Sequence, residues 1–464
     1  MLNIIQGLST LWGRLRPAQL FVGSFVVLVL VGMLGFMVLP GLYTGEGLSW
    51  LDALFTATSA VCVTGLIVVD TATYFTPLGQ VWILLLIQLG GLGIITLGSL
   101  IITALNQRLP LRTHALATGI EVLGTYITPR ELIRRIFVFT FAIEIAGALF
   151  LWIWWGLEGN WEISFWPALF HSISAFCNAG FSTWSDSLMQ FQKDPVSLGI
   201  ISLLIILGGI GFVVMSDLGQ WWNRRSERPG HRLSLHSKIT LLTTLILIVV
   251  GWVLFTVFEW EVTFASLGPV DRIVNGFFMS ITSRTAGFNA IDYGAASDSS
   301  NFLTILLMSV GGSPGSTAGG LKTTTIAVII IVAWSRLRGM KSASILGRSL
   351  PEDTVQQAIG FFTLGFVLIT AGIFAFTTLE LPYVSHRVTE RGFLPYMFET
   401  VSAFNTVGLS MGATSLLGAQ GKVITIILMF IGRVGPLTLA AAVAARSHRS
   451  ISKIKYATED VMIG

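Results

Sequence analysis

Four glycines in this 464-residue chain stand where backbone, not side chain, could do the chemistry. Their segments read Phe55-TATSAVCVT-Gly65-Leu66, Phe170-HSISAFCNA-Gly180-Phe181, Phe277-FMSITSRTA-Gly287-Phe288 and Phe398-ETVSAFNTV-Gly408-Leu409. Each carries a Phe ten positions before the glycine. Ser59, Ser174 and Ser402 stand six before it, against Ile281 in the third copy. Ala60, Ala175 and Ala403 stand five before it, against Thr282. The glycines recur at intervals of 115, 107 and 121 residues, so this is an internal repeat of one unit. Glycine permits the positive φ that can turn carbonyls to one side. Rings of carbonyls can replace the hydration shell of a monovalent cation. The candidate lining residues are Cys62-Val63-Thr64, Cys177-Asn178-Ala179, Arg284-Thr285-Ala286 and Asn405-Thr406-Val407, each with its glycine.

A second glycine cluster follows each copy by 24 to 28 residues: Gly90-Gly91-Leu-Gly93, Gly208-Gly209-Ile-Gly211, Gly311-Gly312-Ser-Pro-Gly315 and Gly432-Arg-Val-Gly435-Pro436. In copies one and two these glycines are expected to let helices pack closely or bend. The third opens a longer stretch: Gly311, Gly312, Ser313, Pro314, Gly315, Ser316, Thr317, Ala318, Gly319, Gly320, Leu321, Lys322. It invites a phosphate-loop reading, but Leu321 separates Gly320 from Lys322 and the stretch interrupts an apolar run. It reads better as a helix broken at membrane depth, tolerated where it lines a cavity. Ionisable groups inside spans are functional candidates by default. Arg284, three before Gly287, is expected to brace its loop against external carboxylates. Arg433 sits mid-span, where pairing with a buried acid such as Glu144 or Asp217 is its ordinary role.

The positioning elements follow from hydropathy. The chain is 53% hydrophobic and only 11% charged, with mean hydropathy +0.77. A soluble domain carries about 25% charged residues. Apolar runs at Leu20–Leu39, Phe137–Trp155, Leu198–Met215, Ile239–Phe258, Phe361–Thr378 and Val423–Ala445 approach the length of a spanning helix. Basic clusters lie at Arg14/Arg16, Arg108–Arg135, Arg224–Lys238, Arg336–Arg348 and Arg446–Lys455; most acids lie in the alternate loops, and Arg387/Arg391 are a local exception. The positive-inside rule then puts both termini and all five clusters in the cytoplasm. Four excursions between them give eight spans. Before each aligned glycine there is room only for a half-helix of roughly ten residues, about 15 Å. Ser49 with Asp52, Ser164 with Pro167, Pro269 and Pro395 mark the expected starts. Half-helices end with their negative dipole toward the axis, which favours a cation. The fold class is thus an all-α polytopic membrane protein with four helix–pore-loop–helix repeats around one pseudo-fourfold pore. The repeats are assigned to 18–107, 108–225, 226–345 and 346–447, flanked by 1–17 and 448–464. The tryptophans Trp152, Trp154, Trp155, Trp161 and Trp166 are expected as interface anchors.

Val63-Thr64-Gly65 and Thr406-Val407-Gly408 are similar to the Thr-Val-Gly of K+ channel filters. With the repeats, they make the chain resemble the ion-conducting subunit of the Trk/Ktr/HKT superfamily of K+ transporters, over about residues 18–447. The first span starts within some 20 residues of the beginning, as in the Ktr branch. The resemblance implies K+ uptake across the plasma (bacterial inner) membrane, with K+ at the filter carbonyls and Na+ as a candidate activator. A serine at the first filter glycine goes with Na+ transport in some plant members; here all four are glycine. It also implies a homodimer with one pore per subunit and a cytoplasmic nucleotide-binding RCK partner. Gly311–Thr317, Gly319, Gly320, Lys322 and Arg433 become the gate that blocks the cytoplasmic side.

The rival reading is a secondary transporter of a small organic solute built on broken helices. It predicts two inverted repeats and buried carboxylates, whereas four same-direction repeats and few intramembrane acids are present. An enzyme needs a cluster of titratable groups at one depth. The six histidines are scattered, and Cys62 and Cys177 have no metal-ligand spacing. No covalent cofactor and no nucleic-acid partner is expected; the net charge of +4 is topological.

Overall fold

The computed structural model describes residues 17–104, 129–159, 161–224, 233–340, 342–380, 392–436 and 438. The basic clusters at Arg14/Arg16, Arg108/Arg112, Arg225–Arg232 and Arg446–Lys455, and the exceptional Arg387/Arg391, lie outside the described residues, as do the 107/108 and 447/448 boundaries. The 345/346 boundary falls in the turn of a two-stranded hairpin, β1 (Ser344–Ile345) and β2 (Arg348–Ser349).

Among the described residues, four helices are long and apolar enough to cross a membrane unbroken. They are α1 (Pro17–Val38), α4 (Pro129–Leu157), α8 (Leu235–Glu259) and α12 (Glu352–Leu379). Each is followed by a shorter helix: α2 (Trp50–Val61), α5 (Trp161–Cys177), α9 (Pro269–Thr282) and α13 (Phe393–Phe404). Ser49 caps α2 as expected, accepting from the Asp52 N–H at 3.1 Å and donating to its carboxylate at 2.8 Å. Pro269 opens α9, where its missing N–H costs nothing. One expected start is corrected: Pro167 lies inside α5, which begins at Trp161, whereas Pro395 stands in the first turn of α13. At 12, 17, 14 and 12 residues the short helices are about 18 to 26 Å long.

The return paths differ among the copies. α3 (Pro77–Ala104) runs straight through Gly90–Gly93. α6 (Pro195–Ile210) and α7 (Phe212–Arg224) meet at Gly211, φ +93°, and bend by 96°. α10 (Asp298–Met308) and α11 (Thr323–Leu337) are separated by Ser309–Lys322. α14 (Ala419–Val434) stops at Gly435, φ +88°. Among the described residues, then, the four outgoing helices and the first return path are continuous, and the other three return paths are broken or shorter.

Among the described residues, four hydrophobic clusters are each shared by adjacent copies. Phe55 packs with Phe376, Phe404 and Met429; Phe170 with Ala57, Val61 and Ile87. Phe278 packs with Leu198 and Ile201; Phe398 with Met279 and Met308. Asp52 and Lys422, 2.6 Å apart, tie the first copy to the last. Trp155 is not an interface anchor. It is buried, donates to Ser197 Oγ at 2.7 Å and stacks on Phe191.

Candidate functional site

Each short helix ends in the same strained strand. Val63, Asn178, Thr285 and Thr406 have φ of +54°, +58°, +69° and +51°. Two residues on, Gly65, Gly180, Gly287 and Gly408 have φ of +92°, +71°, +82° and +95°. Left-handed backbone at a non-glycine residue costs roughly 1–3 kcal/mol and persists only where the surroundings over-determine it. A hydroxyl does that here. Ser59 Oγ donates to the Leu66 carbonyl at 2.7 Å and accepts from the Gly65 N–H at 3.1 Å. Ser402 does the same for Leu409 and Gly408, and Ser174 donates to the Phe181 carbonyl. In the third copy Thr282 takes this role, donating to the Phe288 carbonyl at 2.8 Å. The sequence alignment placed Ile281 there. The structural equivalents are Phe278 and Thr282, so all four copies keep Phe-x-x-x-Ser/Thr and the third has one residue fewer before its glycine.

The four strands meet in a cycle. A Cβ on Gly65 would collide with the Ala179 carbonyl oxygen, and one on Gly287 with that of Val407. One on Gly408 would collide with the Thr64 oxygen, and one on Gly180 would lie 2.9 Å from the Ala286 oxygen. One carbonyl from each copy therefore abuts the preceding copy's glycine, and the carbonyl of copy one closes the cycle on the glycine of copy four. The hydroxyls of Thr64, Thr285 and Thr406 and the Asn178 amide oxygen are buried there without a partner among the described residues. So many buried oxygens left free suit a cation or its water.

The stretch Ser309–Lys322 packs against this ring. Thr317 Oγ1 donates to the Phe176 carbonyl at 3.0 Å, and Asn178 Nδ2 donates to Thr317 Oγ1 at 3.3 Å. The N–H groups of Ser313 and Thr317 reach the Gly209 and Gly208 carbonyls, and the Phe212 N–H reaches Gly315. On the fourth copy's side, the Gly320 N–H donates to the Gly432 carbonyl and the Leu321 N–H to Asn405 Oδ1. Gly319 is so close to Thr406 that a Cβ would strike its hydroxyl. Lys322 Nζ donates back to the Ala318 carbonyl at 2.7 Å. Arg433 is buried and bonds to the Thr317 carbonyl and, at 2.8 Å, to that of Gly90. It pairs with neither Glu144 nor Asp217. Glu144 bonds Gln88, and Asp217 accepts from the Ser234 N–H. Arg284 is 9% exposed and, among the described residues, has no carboxylate within ion-pair distance, so the expected brace to external acids is not formed.

Residues 30–453 match the family model described as cation transport protein, TrkH. Ktr system potassium uptake protein B of Bacillus subtilis is 39% identical, with 98% of both chains covered. Potassium/sodium uptake protein NtpJ of Enterococcus hirae is 36% identical, covering 97% of this chain and 98% of that one. The crystal structure of the potassium transporter TrkH from Vibrio parahaemolyticus superposes with a TM-score of 0.71 at 20% identity, over 92% of this chain and 85% of the other. The chain belongs to the cation transport protein family, within the Trk/Ktr superfamily.

Gly90 and Gly208, expected to let helices pack closely, and Gly432 with them, lie where a Cβ would collide with the carbonyls of Val61, Phe176 and Phe404, each four residues before a ring glycine. One set of positions in this cation transport protein escaped the sequence reading. Gly32, Gly147, Gly251 and Gly372, on the four unbroken helices, face Ala57, Ser172, Ser280 and Thr400. Each of those lies two residues after the aligned Phe. The signal was a third glycine per copy, 33 to 36 residues before the ring glycine. A single glycine in an apolar run is common enough to hide it.

Proposed function

We propose that the chain carries K+ into the cell through one pseudo-fourfold pore whose filter is the cycle of four carbonyls and glycines. That cycle is the observation the reading rests on. Four strands with the same alternating backbone offer oxygens from Cys62–Gly65, Cys177–Gly180, Arg284–Gly287 and Asn405–Gly408 in place of water. The C-terminal ends of four half-helices add partial negative charge toward the same point. Relatives named for potassium and for potassium/sodium uptake favour K+ over the organic-solute alternative. Na+ is a candidate activator.

Gly311–Lys322 and Arg433 form the gate in this reading. Eight hydrogen bonds join the loop region to copies two and four. At about 1 kcal/mol net for each, opening costs several kcal/mol. A ligand-driven partner must supply that difference. The proposed partner is a cytoplasmic nucleotide-binding RCK subunit, acting on a homodimer in the plasma membrane with both termini cytoplasmic. The repeats 18–107, 108–225, 226–345 and 346–447 each contribute one outgoing helix, one half-helix and one return path. Uptake of K+ or Rb+ by K+-uptake-deficient cells tests this, with the chain alone or with an RCK subunit, and with or without Na+. Saturable K+-selective uptake, larger with the partner, is the expected result. Well-expressed protein that moves no K+ in any combination would overturn it.

A further inference from the structure

We infer that Glu144 is a positioning residue for ion selectivity, which holds the second filter strand through the Cys177 thiol. The inference rests on the filter reading above. Its first ground is the position itself. Three residues before the pore-helix-facing glycines Gly32, Gly147, Gly251 and Gly372 stand Val29, Glu144, Ile248 and Ile369. Three copies use a branched apolar side chain there, and the second uses an acid that is 1% exposed. Among the described residues Glu144 makes no ion pair. An acid inside a membrane protein without a countercharge is costly and marks a function.

The contacts say which function. Both carboxylate oxygens accept from Gln88 Nε2, at 3.1 and 3.0 Å. The Cys177 thiol lies 3.7 Å from Glu144 Oε1 and 3.5 Å from Gln88 Oε1, and donates to this pair. Its remaining side is closed by Gly91, where a Cβ would come within 2.8 Å of the sulfur. Cys177 is thus fixed immediately before Asn178, whose φ of +58° needs support. Cys62, at the same place in the first copy, is buried but forms no thiol hydrogen bond among the described residues. The brace is therefore private to one copy. It also reaches the gate, because Gln88 is two residues from Gly90, whose carbonyl holds Arg433.

The test is the Rb+ to Na+ uptake ratio in K+-uptake-deficient cells at matched membrane expression. Glu144→Leu should lower that ratio about fivefold, on the scale of one lost buried hydrogen bond. Glu144→Gln keeps an acceptor and should stay within about twofold of the parent. Cys177→Ala should reproduce Glu144→Leu, and the double variant should be no worse than either, as expected for one shared interaction. An unchanged ratio in Glu144→Leu overturns the inference. So does a full loss in Glu144→Gln, or additive losses in the double variant. If Glu144→Leu fails to reach the membrane, Cys177→Ala and Gln88→Leu decide, and parental ratios in both overturn it. Gly65→Ser measured alongside separates the two levels. If it shifts the ratio and the Glu144 set does not, only this inference fails; if it too is silent, the filter reading fails.

Discussion

The outgoing and returning helices of the four copies are built from the same apolar alphabet and behave differently in three of the four copies. The outgoing helices α1, α4, α8 and α12 run unbroken for 22 to 29 residues, and their most apolar windows are only 17 to 28% buried. Nothing but apolar solvent and a neighbour along one stripe constrains them, so regular hydrogen bonding prevails. The returning helices pass directly behind the glycine ring. There the half-helix carbonyls of Val61, Phe176 and Phe404 touch helix backbone at Gly90, Gly208 and Gly432. The same glycines that allow this contact weaken the helix: the first return path runs on, but the second and fourth break or end three residues later, at Gly211 and Gly435. The third breaks outright, and its freed backbone groups bond to copies two and four. A proposed gate arises where a span is least able to remain a helix.

That contrast can be broken first at the contact itself. Gly432→Ala drives a methyl into the Phe404 carbonyl, which belongs to a buried half-helix and has nowhere to go. Uptake should fall by more than about tenfold at matched expression. Gly23→Ala on the outgoing α1 meets open space and should be neutral or slightly stabilising, because alanine is the better helix former by about 1 kcal/mol. Equal losses at the two sites would show that the return path is not special. A second break is Gly65→Ser, which strains φ +92° and crowds the Ala179 oxygen. Discrimination of K+ over Na+ should weaken about tenfold, the effect of roughly 1.4 kcal/mol, while assembly survives; competitive uptake measures it. Next comes the loop. Removing residues 313–319 should raise basal K+ uptake without the partner by about threefold, as the loop's bonds are lost. A variant that folds and transports no faster would remove the gate from the third return path. The smallest effect is expected at Asp52–Lys422, where the outer ends of copies one and four meet. Asp52→Asn should cost about 0.5 kcal/mol, seen as a small drop in thermal midpoint in detergent that high salt largely erases.

The sequence alone determined the fourfold count, the phase of the ring glycines and the strand that leads into each. These are local demands. A strand with φ positive at two positions, braced by a hydroxyl one turn back, accepts few residue types, so each copy spells nearly the same word. The broken third return path was legible for the same reason, since Gly, Pro and Ser in an apolar run cannot remain helix. Only the tertiary structure decided that Phe278 and Thr282 are the third copy's equivalents, because the test of equivalence is which hydroxyl reaches the Phe288 carbonyl. It alone decided that Arg433 bonds two carbonyls, one on the loop and one on α3, and that Glu144 meets Gln88 and Cys177. Those partners lie 33 to 343 residues away along the chain. No local rule fixes contacts at such separation; packing of the four copies against one another does.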